Sequence, residues 1–336
     1  MKSLVLQAPG TLAWTQVPEP VPAADEALLR VRRCGVCGTD IHALKGIQPF
    51  FTYPRRLGHE LCLEVISSPG GTLRAGDLCA AEAYFACGHC PACRAGKTNC
   101  CRELKVLGVH IDGGMAPLIT MPVAKLHRSR SLTPEQIALT EPLVIGAHGA
   151  ERAAIEQGEP TLIVGLGPIG LAAAIFAAEA GAKLAFTDVQ PERLDFACGR
   201  MRLGQGFASG SRLANELEDY FGQLPSVVID ATGNAGSMQS TFELAEHGGR
   251  IVFLGLFTGD VAFNDPNFHR RELTLIASRA GTADTFHKVI RLLESGRIDA
   301  RPLITHRFAF AEAAQRLPGI QREPGLIKAM IDFDGF

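Results

Sequence analysis

The chain has 336 residues, of which 46% are hydrophobic and 20% are charged, with a formal net charge of -2. This length allows two domains with separate cores, and the balance of charge offers no basic surface for nucleic acid, which is not an expected partner. The most apolar stretch, 161–180, is interrupted by glycines and a proline, so no membrane partner is expected either. The N-terminal apolar run is too short for a signal peptide, which predicts a cytoplasmic protein.

The first 145 or so residues are rich in glycine and proline and contain short β-type runs, such as 27–31 and 61–66. This composition predicts an irregular, mostly β domain.

A cysteine-rich loop follows within this domain and holds five of the ten cysteines. Cys87, Cys90, Cys93 and Cys101 have a spacing that suits a closed, structural Cys₄ zinc site. Cys100 is an alternative to Cys101 as the last ligand. An iron–sulfur cluster is disfavoured, because the fourth cysteine is distant and no proline follows it.

From about residue 143 the pattern changes to alternating helices and strands. A helix is predicted at 143–157, with Gly158 as its stop. Strands are predicted at 161–165, 183–187, 226–229, 250–254 and 273–277. Helices are predicted at 169–180, 191–197 and 237–245. This alternation predicts a parallel sheet covered by helices.

A glycine motif joins the first of these strands to the helix after it. Gly165 permits a tight turn, Gly167 lets the backbone approach a pyrophosphate, and Gly170 lets the helix pack on the strand. Pro168 and Ile169 open the helix, whose free N–H groups then face the phosphates. The context on both sides predicts a dinucleotide site.

An acidic residue, Asp188, ends the next strand and is predicted to bind the adenosine ribose hydroxyls. Its charge would repel a 2′-phosphate, which favours NAD. The alternative is that Asp188 only caps the helix that Pro191 opens. Arg193 is able to stack on adenine or reach a phosphate, which keeps NADP open.

The tail contains a predicted strand at 303–308, a helix at 311–317 and a strand at 326–331. It either extends the second domain or returns to complete the first.

A second set of metal-type residues is dispersed over the first domain: Cys37, His59, Glu60 and Glu141. A thiolate, an imidazole and a carboxylate form a three-ligand zinc site with an open position, which catalysis needs. The remaining cysteines are predicted to be small hydrophobic side chains in the interior, namely Cys34, Cys62, Cys79 and Cys198.

With these motifs in order, the sequence resembles the zinc-containing medium-chain alcohol dehydrogenases over essentially its whole length. The resemblance implies an α/β protein with a GroES-like irregular β-barrel catalytic domain, 1–145 plus 297–336. A doubly wound Rossmann domain for NAD would comprise 146–296. Glu141 stands where other members have a third zinc-binding cysteine, as in the sorbitol and threonine dehydrogenase branch.

The resemblance also implies residue roles at the catalytic zinc. Cys37, His59 and Glu60 would be the protein ligands, with Glu141 at or near the metal through water, and both glutamates stay candidates. Asp40 would hold His59 in the correct tautomer.

Proton removal is assigned to the segment that follows Cys37. Thr39 would accept the substrate proton, and His42 would pass it to solvent. Alternatively, Thr39 is a helix N-cap and His42 a surface histidine.

The family resemblance also implies further contacts with the cofactor. The residues that would line the nicotinamide half are Leu254, Gly255, Leu256, Ser278, Arg279 and Ala280. The expected cofactors are two zinc ions per chain and NAD, and the expected assembly is a homodimer or homotetramer.

The expected substrate is a small molecule, a sugar acid or a polyol. Stretches 46–55, 93–101 and 264–269 resemble bacterial dehydrogenases that oxidise L-galactonate, a sugar acid.

The loop between the zinc ligands offers substrate contacts. Phe50 and Phe51 are candidates for its walls, and Lys45 or Arg55 for pairing with a carboxylate. The alternative is that the aromatics are core and the cations solvated.

The competing interpretations of function are a general polyol or threonine-type dehydrogenase, a zinc-free quinone reductase of the same fold, and a non-catalytic zinc- and nucleotide-binding protein. The quinone reductase would not need Cys37, His59 or the four cysteines of the loop.

Overall fold

The computed structural model describes residues 1–336 as two units. The first unit is Met1–Glu141 with Thr282–Phe336, and the second is Pro142–Gly281. No helix combines the length and the apolar character that crossing a bilayer requires.

The elements are numbered in chain order. The strands are β1 (Lys2–Ala8), β2 (Thr11–Gln16), β3 (Glu26–Gly35), β4 (Glu60–Ser67), β5 (Leu78–Ala81), β6 (Tyr84–Phe85), β7 (Lys105–Val106), β8 (Leu118–Pro122), β9 (Leu126–Ser129), β10 (Pro160–Val164), β11 (Lys183–Asp188), β12 (Gln205–Ala208), β13 (Val227–Asp230), β14 (Arg250–Phe253), β15 (Thr274–Ala277), β16 (Ile304–Ala309) and β17 (Lys328–Asp332). The α-helices are α1 (Gly38–Leu44), α2 (Pro91–Arg94), α3 (Pro134–Ala138), α4 (Thr140–Ala153), α5 (Pro168–Glu179), α6 (Pro191–Asp195), α7 (Leu213–Phe221), α8 (Ala235–Leu244), α9 (Asp265–Arg270), α10 (Ala283–Glu294) and α11 (Ala313–Arg316).

The first unit is built on a seven-stranded, mostly antiparallel sheet. Its order is β16-β17-β3-β4-β5-β9, and β8 also pairs with β3. Along β3 the buried Ala27, Leu29 and Val31 alternate with more exposed residues, as expected when one face of a strand is buried. The tail returns to this sheet, because β17 pairs with β3 and β16 pairs with β17.

The second unit is a six-stranded parallel sheet with helices between its strands. Its order is β12-β11-β10-β13-β14-β15, which is a doubly wound order that reverses between β10 and β13. Buried Leu162, Val228, Phe242 and Ile251 belong to its core. This architecture confirms the predicted α/β class, and ligands of such sheets bind outside the carboxyl ends of the strands, at the reversal.

Several element boundaries differ from the prediction. The helix expected at 143–157 is α4, which begins three residues earlier and ends at Ala153, because Ala154 takes a left-handed φ of 49°. The sequence pattern had singled out neither β12 nor α7.

The units also differ from the predicted domain limits. The prediction placed 146–296 in the Rossmann domain, whereas α10 falls in the first unit. The reason is its contacts with β9: the Ser129 hydroxyl donates to Glu294 Oε1 at 2.6 Å, and the His127 ring stacks on Phe286 with centroids 4.9 Å apart.

Candidate active site

The structure brings Cys37, His59 and Glu60 together, with ligand atoms within 4.8 Å of one another. We call these three residues the Cys37 site. Cys37 is the residue before α1, and His59 directly precedes Glu60 at the start of β4. Asp40 links the two segments, because its carboxylate accepts from the backbone N–H of Cys37 at 2.9 Å and of Gly58 at 3.2 Å.

His59 lies at the centre of several negative groups. Burial lowers its pKa, but Cys37, Asp40 and Glu141 outweigh burial and raise the pKa well above its ordinary value. Its Nδ1 is buried without a hydrogen-bond partner and lies 4.0 Å from Asp40 Oδ1, so the expected hydrogen bond between these two residues is not formed. A buried ring with an orphaned nitrogen beside a thiol and carboxylates suits a cation.

Glu60 forms a buried ion pair that the sequence analysis missed. Lys328 Nζ on β17 lies 2.6 and 2.8 Å from the two Glu60 oxygens and donates to the Val36 carbonyl at 3.0 Å. Both side chains are at most 2% exposed. The available signal was a lysine inside the predicted strand 326–331, which is otherwise apolar. Gly35 leaves the space for Glu60, since a Cβ there would lie 2.0 Å from Glu60 Oε2.

Glu141, in the first turn of α4, lies near the Cys37 site but outside the group of three. The buried Tyr84 hydroxyl donates to Glu141 Oε1. Burial raises the pKa of Glu141, although His59 and Tyr84 lower it. Burial and then the Glu141 charge raise the pKa of Tyr84 well above its usual range, so Tyr84 is a hydrogen-bond donor. The sequence analysis missed Tyr84 too.

Thr39 and His42 lie one turn apart on α1. Thr39 is half-buried, and its hydroxyl makes no hydrogen bond within the chain, so it does not act as an N-cap. His42 is exposed, and its pKa is lowered by partial burial and then by Lys45.

Side chains of the predicted substrate loop mostly contact other residues of the chain. Phe51 is buried against Tyr53, with ring centroids 4.8 Å apart, whereas Phe50 is 55% exposed. Lys45 donates to Gln321 at 2.5 Å. The guanidinium of Arg55 donates to Thr52 at 2.8 Å and lies 3.7 Å from Asp112. Both cations proposed for the substrate carboxylate therefore already have partners within the chain.

The four predicted cysteines of the loop converge. The sulfur atoms of Cys87, Cys90, Cys93 and Cys101 all lie within 4.8 Å of one another, whereas Cys100 is exposed and outside the group. Backbone N–H groups of Cys87 and Glu103 donate to the Cys101 sulfur at 3.2 and 3.3 Å.

The thiols of this loop differ in acidity. Backbone hydrogen bonds, first from Arg102 and then from Cys93, lower the pKa of Cys90 to about 6. Burial raises the pKa of Cys93 to about 12. Four sulfurs at this distance, some already favouring the thiolate, fit a Zn²⁺ ion that would deprotonate the rest.

The other cysteines belong to neither group. Cys34, Cys62 and Cys79 are buried and Cys198 is half-buried, and burial raises the pKa of each thiol.

The glycine loop has the shape expected for a pyrophosphate. Gly165 has φ +85°, and a Cβ on Gly170 would lie 1.8 Å from the Gly165 carbonyl oxygen. At Gly167 a Cβ would meet nothing nearer than 3.9 Å, which leaves open space before Pro168 and Ile169 at the start of α5.

Asp188 ends β11 beside this loop. Its carboxylate accepts from the backbone N–H of Leu166 at 2.6 Å and of Gln190 at 2.8 Å. Arg193 Nη1 lies 3.7 Å from Asp188 and is the atom closest to a Cβ placed on Gly167. A guanidinium therefore lies next to the open space at the glycine loop.

The remaining cofactor candidates follow β14 and β15 in the same unit. A Cβ on Gly255 would lie 2.2 Å from the Gly233 nitrogen, so the loop after β14 requires glycine there. It lies between Leu254, whose N–H donates to the Asp230 carbonyl at 2.8 Å, and Leu256, which is 64% exposed.

Ser278, Arg279 and Ala280 come directly after β15. The Ser278 hydroxyl is buried with no partner, Arg279 interacts within the chain, and Ala280 has a left-handed φ of 53°. The orphaned Ser278 hydroxyl fits a polar ligand group.

The loop after β13, on the other side of the sheet reversal, was missed by the sequence analysis. Asp230 accepts from the Thr232 N–H and hydroxyl and from the Ser237 hydroxyl at 2.6 to 2.9 Å. These bonds order the loop beside the glycine motif.

Known families account for both units. A family described as "Alcohol dehydrogenase GroES-like domain" matches residues 23–131, and one described as "Zinc-binding dehydrogenase" matches residues 168–295. The chain belongs to the zinc-type medium-chain alcohol dehydrogenase family, as predicted, and is an oxidoreductase of that class.

Individual relatives cover nearly the whole chain. L-galactonate-5-dehydrogenase of Escherichia coli K12 is 43% identical over 99% of each chain. The alcohol dehydrogenase rspB of E. coli CFT073, solved with NADH, has a TM-score of 0.91 at 28% identity and covers 99% of each chain. A Sinorhizobium meliloti 1021 dehydrogenase, solved with NADP, has a TM-score of 0.88 at 28% identity with the same coverage.

Proposed function

We propose that this chain oxidises a secondary hydroxyl of a sugar acid, such as L-galactonate, to a ketone and transfers the hydride to NAD. The observation that carries this proposal is the Cys37 site, in which three buried or half-buried ligand atoms converge. Cys37, His59 and Glu60 would hold a catalytic zinc ion, and a zinc site with three protein ligands would leave one position open. The second zinc would be held by Cys87, Cys90, Cys93 and Cys101 and would be structural.

A bound zinc ion supplies Lewis acidity, which lowers the pKa of an alcohol at the open position. Two residues of α1 then transfer the proton of the substrate hydroxyl to solvent. Thr39 has a hydroxyl free to accept it, and the exposed His42, whose lowered pKa keeps it neutral near pH 7, accepts it next and releases it to water. The carbinol hydrogen leaves as hydride, so the products are a ketone, NADH and a proton.

NAD is the proposed acceptor because Asp188 places a carboxylate at the end of β11, where a 2′-phosphate would be repelled. Arg193 is the contrary feature, since a guanidinium at this place favours a phosphate. Comparing the kcat/KM for NAD with that for NADP decides between them.

The sugar acid is proposed from the 43% identical relative. Lys45 and Arg55 already have partners within the chain, so neither is assigned to the substrate carboxylate. The second candidate is a general polyol or threonine-type dehydrogenase, which needs no such cation.

The proposed setting is the cytoplasm, since thiolate zinc ligands need a reducing compartment. We also propose that the protein is a homodimer or homotetramer with a small molecule as its only substrate partner.

The experiment that tests the activity is NADH formation at 340 nm with L-galactonate, other sugar acids, polyols and L-threonine. We expect kcat/KM for a sugar acid to exceed that for any polyol by at least about tenfold. Equal turnover of polyols would favour the second candidate. No turnover across the panel, with two zinc ions bound, would favour a non-catalytic protein.

A paired substitution tests the Cys37 site. Cys37→Ser is expected to remove one zinc per chain and turnover together, while Cys198→Ser, a half-buried cysteine outside both groups, keeps both. Full activity of Cys37→Ser would overturn the proposed site.

A further inference from the structure

Glu60 belongs to the Cys37 site and Glu141 lies near it, and the chain holds the two carboxylates differently. Both oxygens of Glu60 face the Lys328 ammonium, at 2.6 and 2.8 Å. Glu141 has one donor only, because the Tyr84 hydroxyl bonds Oε1 and no donor of the chain reaches Oε2. The one carboxylate oxygen of this set without a donor is therefore Glu141 Oε2.

Glu141 is 5% exposed, and a carboxylate oxygen without a donor in such surroundings is attracted to a nearby cation. His59 and Glu60 are among the charged side chains nearest to Glu141. Direct binding of Glu141 would add a fourth protein ligand, and a zinc site with four protein ligands has no position for substrate.

Tyr84 is placed to prevent this closure. It lies on β6, immediately before the cysteine-rich loop, so its backbone is anchored independently of α1 and α4. Tyr84 is 6% exposed, and its hydroxyl donates to Glu141 Oε1. A hydrogen bond to a charged acceptor is among the stronger ones in proteins.

We propose that Tyr84 is a positioning residue that holds Glu141 beside the catalytic metal rather than on it. The three ligands then remain Cys37, His59 and Glu60, the fourth position stays open, and Glu141 Oε2 faces the substrate hydroxyl as an acceptor. This inference rests on the proposed function, because it concerns the same metal site.

Tyr84→Phe is expected to strengthen metal binding while it weakens catalysis. Without the hydroxyl, Glu141 binds the metal, so the ion leaves more slowly while turnover falls. With cobalt in the catalytic position, we expect release to a chelator to slow at least about tenfold and the cobalt absorption bands to change. We expect kcat to fall at least about tenfold and KM to change less than about twofold. A merely structural role for Tyr84 would instead loosen the metal.

Two further variants keep the proposal falsifiable if Tyr84→Phe folds poorly. In otherwise unchanged protein, Glu141→Gln is expected to release cobalt at the wild-type rate, because Glu141 is not a ligand there, while kcat falls. In the double variant, Glu141→Gln is expected to cancel the slow release caused by Tyr84→Phe. The matched control is Tyr220→Phe, whose hydroxyl donates to a backbone carbonyl of the second unit at 3.4 Å and whose loss leaves metal release unchanged.

Faster release from either single variant, or unchanged release and turnover in Tyr84→Phe, would overturn the inference. These outcomes are distinct from failure of the proposed function, which would appear in the wild-type protein as absence of zinc from the Cys37 site or of NADH formation.

Discussion

Glu60 shows how single residues position a proposed metal ligand. It lies between Gly35, where a side chain would collide with it, and Lys328, which neutralises it. A buried ion pair of this kind adds little net stability, because the desolvation of both charges offsets their attraction. Its value here is to hold one carboxylate in one place beside Cys37 and His59.

Adding one carbon at Gly35 tests that arrangement. The new Cβ in Gly35→Ala would be 2.0 Å from Glu60 Oε2, so Glu60 must move away from its place. We expect zinc content to fall from two ions to one per chain, with loss of turnover, as measured by metal analysis. Gly319→Ala is the control, because its Cβ meets nothing within 4 Å. If Gly35→Ala keeps both ions, the space at Gly35 does not position Glu60.

Residue types together with the family resemblance predicted Cys37, His59 and Glu60 as ligands, with Glu141 as a further candidate, and the structure brings the first three together. The residues that contact the glutamates at this site could not be predicted from the sequence. Lys328 is 268 residues from Glu60, and only the pairing of β17 with β3 brings the two together. Tyr84 and Glu141 are likewise distant in sequence, 57 residues apart, and only the folded chain brings them into contact.

At the scale of elements, the cysteine-rich loop has little regular structure. Between β6 and β7 it contains the four-residue helix α2 and a three-residue 3₁₀ turn, Thr98–Cys100. Elements this short bury too little apolar surface to hold a loop in place. Metal–sulfur bonds would take over that role, as they do in small zinc modules.

Removing one thiol tests the role of this loop. Cys93→Ser is expected to lose one zinc ion and to lower the thermal midpoint by about 4 °C or more, since the loop loses its crosslink. NADH binding, followed by fluorescence, is expected to persist because the glycine loop lies elsewhere in the chain. Cys100→Ser alters the exposed neighbour outside the group and serves as control. An unchanged midpoint in Cys93→Ser would show that the loop is stable without metal.

Elements of the second unit were predictable because hydrophobic strands and glycine stops recur there with regular spacing. Their exact ends were not: α4 stops at Ala153 because the backbone turns left-handed at Ala154. The four-residue β12 is half-exposed, so it lacks the apolar run that marked the other strands. In the first unit, strand order depends on pairing between distant segments, which no local pattern encodes.

For the whole molecule, the free edge of the second unit bears on assembly. The strand β15 ends the six-stranded sheet, and Leu275 on it is 41% exposed. An edge strand presents unpaired backbone N–H and C=O groups, and with an exposed apolar side chain it can pair with the same strand of another copy. This edge supports the proposed homodimer or homotetramer.

A charge at the edge tests this assembly. Leu275→Lys is expected to shift the protein to monomers in sedimentation experiments, because a lysine opposes edge pairing. Val21→Lys places the same charge on a residue of the first unit that is 87% exposed and is expected to leave the assembly intact. Identical sedimentation of wild-type and Leu275→Lys protein would place the contact elsewhere.

The pairing of Glu60 with Lys328 also sets an order of events during synthesis. The ribosome makes Glu60 268 residues before Lys328, and it makes all of Pro142–Gly281 in between. The contiguous second unit is free to fold while the nascent carboxylate still lacks its counter-charge. The ion pair that holds Glu60 in place therefore forms only after β17 has been made, and a chain interrupted before β17 carries Cys37, His59 and Glu60 without that lysine.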